Sequence, residues 1–254
     1  MDITCVTFDW GDTLVTNRGN PYRQSLRRAL TWFARSLDEQ GQVVPDSWIS
    51  QAEQAIGCHW ASSGSEPAEI VAMESLGDAI QQLDGITDWA EQRALVNGFF
   101  ERFTGVLQPY PEADATMAEL KRRGYRVGIL SHVPWPAEQC WAWWQRRGWD
   151  AHVHFHSFSS EVGYIKPHPA HYKHALALAG VPAEQILHVG DHPERDVVGG
   201  QKFGFRTCLR RTEGFYDEAE LDACAPDLTV LHVKELLEHL PMREEVVVSA
   251  PAAG

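Results

Sequence analysis

The sequence predicts an α/β fold, a parallel sheet covered by helices on both faces and interrupted early by a helical insert. Three observations predict it. Short apolar runs alternate with helical patterns through the second half of the chain, the order expected of a parallel sheet. The stretch after the first run repeats its apolar residues at helical spacing with no strand signal. The 254 residues, 44% hydrophobic and 22% charged, suffice for a full core or a core with a smaller partner.

The first apolar run, 3–8, is rich in β-formers and broken by Cys5 and Thr7. It reads as a short strand buried on both faces. It ends in Asp9, and Gly11 and Asp12 turn the chain. A carboxylate at the carboxyl end of a buried strand lies where open α/β sheets bind ligands. There it needs a metal or a cation, unless it caps the turn. A loop follows at 17–21. From Tyr22 to about Phe103 the pattern is helical. Leu26, Ala29, Leu30, Phe33 and Leu37 recur at three and four residues, with Arg23, Arg27 and Arg28 on other positions. Further helices are expected over 48–56, 68–83 and 89–103, separated by Gly41, the serines at 62–65 and Gly85.

Pro109-Tyr110-Pro111 closes the insert. Helices are then expected over 112–123, 136–147, 169–179, 193–203 and 233–240. Strands are expected over 125–131, 186–189, 205–209 and 227–231, with an extended segment at 152–158. The tail 241–254 lacks periodicity and is expected to be disordered.

The bulk charge narrows the partners. A net charge of −13, with five lysines against seventeen arginines, argues against nucleic acid and anionic membranes. A small anionic substrate stays compatible, because a local site can be positive in an acidic protein. Five scattered cysteines without a CxxC read as free thiols in a reducing compartment. No stretch approaches the roughly 20 apolar residues needed to span a bilayer, so a soluble cytoplasmic protein is expected.

Four segments bring polar groups to strand ends: Asp9 with Asp12 and Thr13, Ser131-His132, Gly163-Tyr164-Ile165-Lys166-Pro167, and Gly190-Asp191 with Asp196. If the strands are parallel, three carboxylates, a lysine, a hydroxyl and backbone N–H groups meet at one edge. Carboxylates at that density call for a divalent cation, and oxygen-only ligation selects Mg2+. A metal and a lysine can neutralise phosphoryl oxygens while a carboxylate attacks phosphorus.

These motifs, Phe8-Asp9-Trp10-Gly11-Asp12-Thr13-Leu14, Ile129-Leu130-Ser131, Gly163 to Pro169 and His188 to Asp196, resemble the haloacid dehalogenase-like hydrolase superfamily. The resemblance implies a Rossmann-like core over 1–17 and 109–240, with a helical C1 cap over 18–108. It implies Asp9 as nucleophile and Mg2+ ligand and the backbone carbonyl of Gly11 as a second ligand. Ser131 would bind the phosphoryl group, Lys166 would balance charge, and Asp191, supported by Asp196, would bind the metal. His132 and Trp135 would border the substrate. Family phosphatases usually carry an acid/base aspartate two residues after the nucleophile, where this chain has Gly11. Asp12 could replace it or cap the turn; His132, Glu161 and His192 are other candidates.

Two branches of the superfamily lack that aspartate. The dehalogenases proper also lack the Gly-Asp that Asp191 and Asp196 keep here. Phosphonoacetaldehyde hydrolases need a cap lysine for a Schiff base, and 18–108 contains none. The expected activity is therefore Mg2+-dependent hydrolysis of a small phosphorylated metabolite through an aspartyl-phosphate on Asp9. The alternatives are a catalytically weak binding or regulatory protein, and a hydrolase restricted to good leaving groups such as acyl phosphates. His152, His154 and His156 alternate and could bind a transition metal or line a solvated strand face. The spacing of His168, His171 and His174 drifts around a helix. No particular oligomeric state is implied.

Overall fold

The computed structural model describes residues 2–16, 22–54, 93–133, 137–212 and 216–243. Eight strands are present among them: β1 (Cys5–Phe8), β2 (Val15–Thr16), β3 (Gln108–Pro109), β4 (Arg126–Ser131), β5 (Phe155–Phe158), β6 (Ile186–Gly190), β7 (Arg206–Arg210) and β8 (Leu228–Val230). Six form one sheet in the order β5-β4-β1-β6-β7-β8. All of its pairings are parallel. This is the α/β, Rossmann-like architecture that the alternation of runs predicts.

The strands bury both faces. Along β1, Val6 and Phe8 join one hydrophobic cluster while Cys5 joins another. That is the two-residue alternation of a strand applied to a sheet covered on both sides. Every residue of β1 and β6 is buried, so their sequences read as continuous apolar runs. Phe8 pairs with Ile129 on one side and Val189 on the other. The chain thus leaves β1 for β4 on one side and later returns to β6 on the other. The carboxyl ends of these three strands flank the crevice where such sheets bind ligands.

The first helix, α1 (Tyr22–Glu39), buries Leu26, Ala29, Leu30, Phe33 and Leu37, the stripe its spacing predicts. It packs on α3 (Arg93–Thr104), and a short α2 spans 48–54. Phe33 stacks on Trp48 at 5.8 Å and meets Phe99 edge-on at 6.3 Å. A Cβ on Gly98 would come within 2.3 Å of the Trp32 ring, so this glycine permits the close approach of α1 and α3. The antiparallel ribbon of β2 and β3 brings the chain back to the sheet. Two residues per strand left no legible signal for this ribbon in the sequence. The helix expected over 68–83, the 62–65 loop, Trp135 and the tail beyond 243 lie outside the described residues.

The core helices include α4 (Ala113–Arg122), α5 (Ala137–Gln145) and α6 (Pro169–Ala179). Two stretches differ from expectation. Segment 152–158 begins as a 3-10 turn, Trp149–His152, and only Phe155–Phe158 pairs as a strand. Its histidines do not converge. His152 pairs with Asp114 at 3.0 Å, His154 accepts from the Val127 N–H at 3.0 Å, and His156 meets Glu161 at 3.5 Å. The expected helix 193–203 is a π-helical segment, Pro193–Val198, followed by an α-turn, Gly199–Lys202. The Tyr172 hydroxyl bonds the Arg195 carbonyl there, and a Cβ on Gly199 would lie 2.1 Å from that hydroxyl. His168 caps α6 through Ala170 N–H, and His171 and His174 bond the backbone and hydroxyl of Ser157.

Candidate active site

Three of the four predicted strand ends supply carboxylate or cation to one cluster. Asp9 follows β1 directly, its N–H donating to the Val189 carbonyl at 2.8 Å. Lys166, 1% exposed, donates to Asp9 Oδ1 at 3.0 Å, Asp196 Oδ1 at 2.5 Å and the Leu130 carbonyl at 2.9 Å. Its three donors are therefore all engaged. The Lys166–Pro167 peptide is cis. Ser131 is buried at the end of β4, its hydroxyl donates to the His132 carbonyl at 3.4 Å, and it helps to lower the Asp9 carboxyl.

Asp191 and Asp196 follow β6. Gly190, the last residue of β6, has no alternative: a Cβ there would lie 2.1 Å from Asp196 Cγ. Asp196 is the anchor of the cluster. Oδ1 accepts from Lys166 and lies 3.1 Å from His188 Nε2, and Oδ2 accepts the His192 N–H at 2.9 Å. His188 Nδ1 lies 3.0 Å from the Thr7 hydroxyl. Asp191 accepts from Thr13 Oγ1 at 3.3 Å and from the Tyr216 hydroxyl at 2.9 Å. Thr7, His188, Thr13 as a partner of Asp191, and Tyr216 were not singled out from the sequence. Thr7 and His188 are paired across β1 and β6, a register that no local pattern displays.

The charges are unbalanced. Carboxylate oxygens of Asp9, Asp191 and Asp196 lie within 4.8 Å of one another. Burial raises the Asp9 carboxyl; Lys166 opposes this and Asp196 adds to it. Burial raises Asp191 well above the usual range, and repulsion from Asp196 and Asp9 raises it further. Asp196 moves the other way. Burial works against its ionisation, but Lys166 and His188 outweigh it. Burial likewise opposes the charge on Lys166, and Asp196 and Asp9 raise its pKa in spite of it. Lys166 thus pairs with two of the three carboxylates, and among the described residues no cation pairs with Asp191. An all-oxygen donor set with a surplus of negative charge fits a hard divalent cation.

The remaining candidates take distinct places. Asp12 has φ 50°, and its carboxylate accepts from Thr16 Oγ1 at 3.2 Å. Its carbonyl is held by buried Arg210 at 2.6 Å, and Arg210 stacks over Tyr110 at 3.8 Å. A side chain at Gly11 would meet nothing within 4 Å, and φ there lies outside the left-handed region, so the backbone does not require glycine. Glu161 is turned to His156 and the Phe158 N–H. His132 lies 3.5 Å from Arg195, and burial, then the charge of Arg195, lowers it to about 3. Burial lowers His192 to about 4, and its ring lies 5.0 Å from that of Tyr216. Among the described residues, no helix is long and apolar enough to cross a membrane. Cys5, Cys140, Cys208 and Cys224 are buried free thiols.

The chain is similar to known proteins in sequence and in fold. The chain is 29% identical over 148 residues to the glyceraldehyde 3-phosphate phosphatase of Methanopyrus kandleri, covering 57% of this chain and 62% of that protein. Among solved structures, a HAD phosphatase from Thermococcus onnurineus superposes with a TM-score of 0.64 at 18% identity, over 94% of this chain and 99% of that one. A 2-haloacid dehalogenase from Pseudomonas syringae superposes with a TM-score of 0.62 at 25% identity, over 93% and 97%. Residues 3–204, which hold all four strand-end motifs, match the haloacid dehalogenase-like hydrolase family, and the chain belongs to it.

Proposed function

We propose that the chain is a Mg2+-dependent phosphatase of a small phosphorylated metabolite. Its Rossmann-like core, 1–17 and 109–240, carries the site, and 18–108 form a C1-type helical cap. The observation that carries this reading is the pairing of Asp9 with Lys166 inside a three-carboxylate cluster that keeps Asp191 and Asp196.

The reaction runs in two displacements. Asp9 Oδ attacks phosphorus, forming an acyl phosphate as the bond from phosphorus to the leaving oxygen breaks. Water then attacks phosphorus, breaking the bond to Asp9 and releasing inorganic phosphate. Asp9, Asp191 and the Gly11 carbonyl, with Asp196 in support, would hold Mg2+, which neutralises phosphoryl charge. Lys166 stays cationic, contacts Asp9 and balances charge on the same side. Ser131 orients the phosphoryl group. His132, Trp135 and the cap border the rest of the substrate.

Gly11 favours a second version of this chemistry. The position that would carry the leaving-group acid has no carboxyl, and the Asp12 carboxylate is bonded to Thr16. Substrates with good leaving groups, such as acyl phosphates, need no such acid. A panel of alkyl, aryl and acyl phosphates with and without Mg2+ tests both versions. Turnover is expected only with Mg2+ and is expected to vanish in Asp9→Asn. Full activity of that variant overturns the mechanism. Mg2+ binding without turnover of any phosphate favours a regulatory protein instead.

A further inference from the structure

Tyr216 stands outside residues 3–204, the part of the chain that matches the family, and has no part in the reaction above. It comes after the end of β7. Its ring packs against the buried cluster of Val197, Leu209, Leu221 and Cys224, and lies 5.0 Å from the His192 ring. Packing thus sets the place of the ring independently of its hydroxyl. The hydroxyl reaches Asp191 and donates to Oδ2 at 2.9 Å. A phenol keeps its proton at neutral pH, so the direction of this bond is fixed.

Asp191 is held from two ends of the chain. Thr13, in the turn after β1, donates to Oδ1 at 3.3 Å, and Tyr216 donates to Oδ2. Among the described residues Asp191 forms no ion pair, so these two hydrogen bonds orient its carboxylate. A carboxylate has about four lone-pair sites, and each oxygen therefore keeps one for a cation in the cluster shared with Asp9 and Asp196. The Tyr216 bond is the shorter of the two. Without it, only the longer bond from Thr13 restrains the carboxylate.

We propose that Tyr216 is a positioning residue that makes the Asp191 site selective for Mg2+ over Ca2+. The assignment rests on the metal site of the phosphatase reading. Mg2+ demands a near-octahedral set of ligands, whereas Ca2+ accepts a variable number in flexible arrangements. A ligand free to turn is therefore a larger loss to Mg2+ than to Ca2+.

The test is calorimetric titration of the metal-free full chain with MgCl2 and with CaCl2. Tyr216→Phe keeps the packed ring and removes only the hydroxyl. It is expected to bind Mg2+ about 10–100-fold more weakly, the usual effect of losing a hydrogen bond behind a metal ligand, and Ca2+ almost as the wild type does. The Mg2+ preference falls accordingly, a change that a merely structural role would not produce. In EDTA the variant should fold and lose only a few degrees of Tm, the effect of one hydrogen bond. Unchanged or tighter Mg2+ binding overturns the proposal. So does an equal loss for both ions, or a variant that does not fold in EDTA. A wild type that binds neither ion overturns the proposal and the phosphatase reading together. The selectivity change in a chain that turns over no phosphomonoester upholds the role of Tyr216 and defeats the phosphatase reading.

Discussion

Replacing Asp191 by Asn should stabilise the metal-free protein while removing its response to Mg2+. Asp191 is 4% exposed, and its oxygens share a cluster no wider than 4.8 Å with Asp9 and Asp196. At an effective dielectric constant of about 20, one such pair of charges repels by about 3 kcal/mol. The attraction of Lys166 offsets one of the two repulsions. The other repulsion, about 3 kcal/mol, is left uncompensated and disfavours the ionised carboxyl. Asn removes this cost but can satisfy only one of the Thr13 and Tyr216 donors in the same way, losing about 1 kcal/mol. The net gain is about 2 kcal/mol, or about 4–8 °C in Tm for a chain of this size.

The sign with pH follows from the raised carboxyl. The native state keeps a proton that the unfolded chain has released, so wild-type stability falls as pH rises above the ordinary carboxylate range. The advantage of Asp191→Asn should therefore grow from pH 5 to pH 7. Thermal unfolding followed by circular dichroism, in EDTA and in excess Mg2+, reads both effects. Mg2+ should raise the wild-type Tm by mass action and leave the variant unmoved. A variant equal to or less stable than wild type in EDTA at neutral pH would refute the charge argument.

Two other substitutions probe neighbouring positions. Lys166→Met removes the one cation bonded to both Asp9 and Asp196 and should cost about 3–5 kcal/mol in urea unfolding, since it strands buried carboxylates. Its turnover should fall at least about a hundredfold, and a mild kinetic effect would contradict the charge-balancing role. Gly11→Asp enters open space on a permissive backbone. It should raise phosphate release from alkyl phosphates, by up to about 10²–10⁴-fold if the new carboxyl reaches the leaving oxygen, and leave acyl phosphates unchanged.

Much of this arrangement was legible from the chain because of how the sheet is built. Strands buried on both faces appear as continuous apolar runs, so β1 and β6 announced themselves and their ends located Asp9, Asp191 and Asp196. The alternation of runs and helices gave the parallel order that brings Lys166 and Ser131 to the same edge. Contacts set by register were hidden. Thr7 and His188 are each one polar residue in an apolar strand, and only the pairing of β1 with β6 makes them the support of Asp196. Tyr216 and Arg210 come from beyond the last motif, at and after the end of β7, and only the fold brings them to Asp191 and the Asp12 carbonyl. The 152–158 segment is only partly extended: Gly148 at φ 71° opens a 3-10 turn over Trp149–His152, and of the three histidines only His156 lies in the edge strand β5.

Trp143 joins two parts of the chain whose backbones meet at the β2–β3 ribbon. Its indole N–H donates to the Thr104 carbonyl at the end of α3, at 3.2 Å, and its ring meets Trp10 edge-on at 5.0 Å. Trp10 is the neighbour of Asp9. An insert transplanted from a relative would have to present a carbonyl where Thr104 does. Otherwise a buried indole donor is stranded close to Trp10, the neighbour of Asp9, at about 1–3 kcal/mol. In this chain α3 and the helix that receives it, α5, are thereby coupled: a change in one has to be matched by the other.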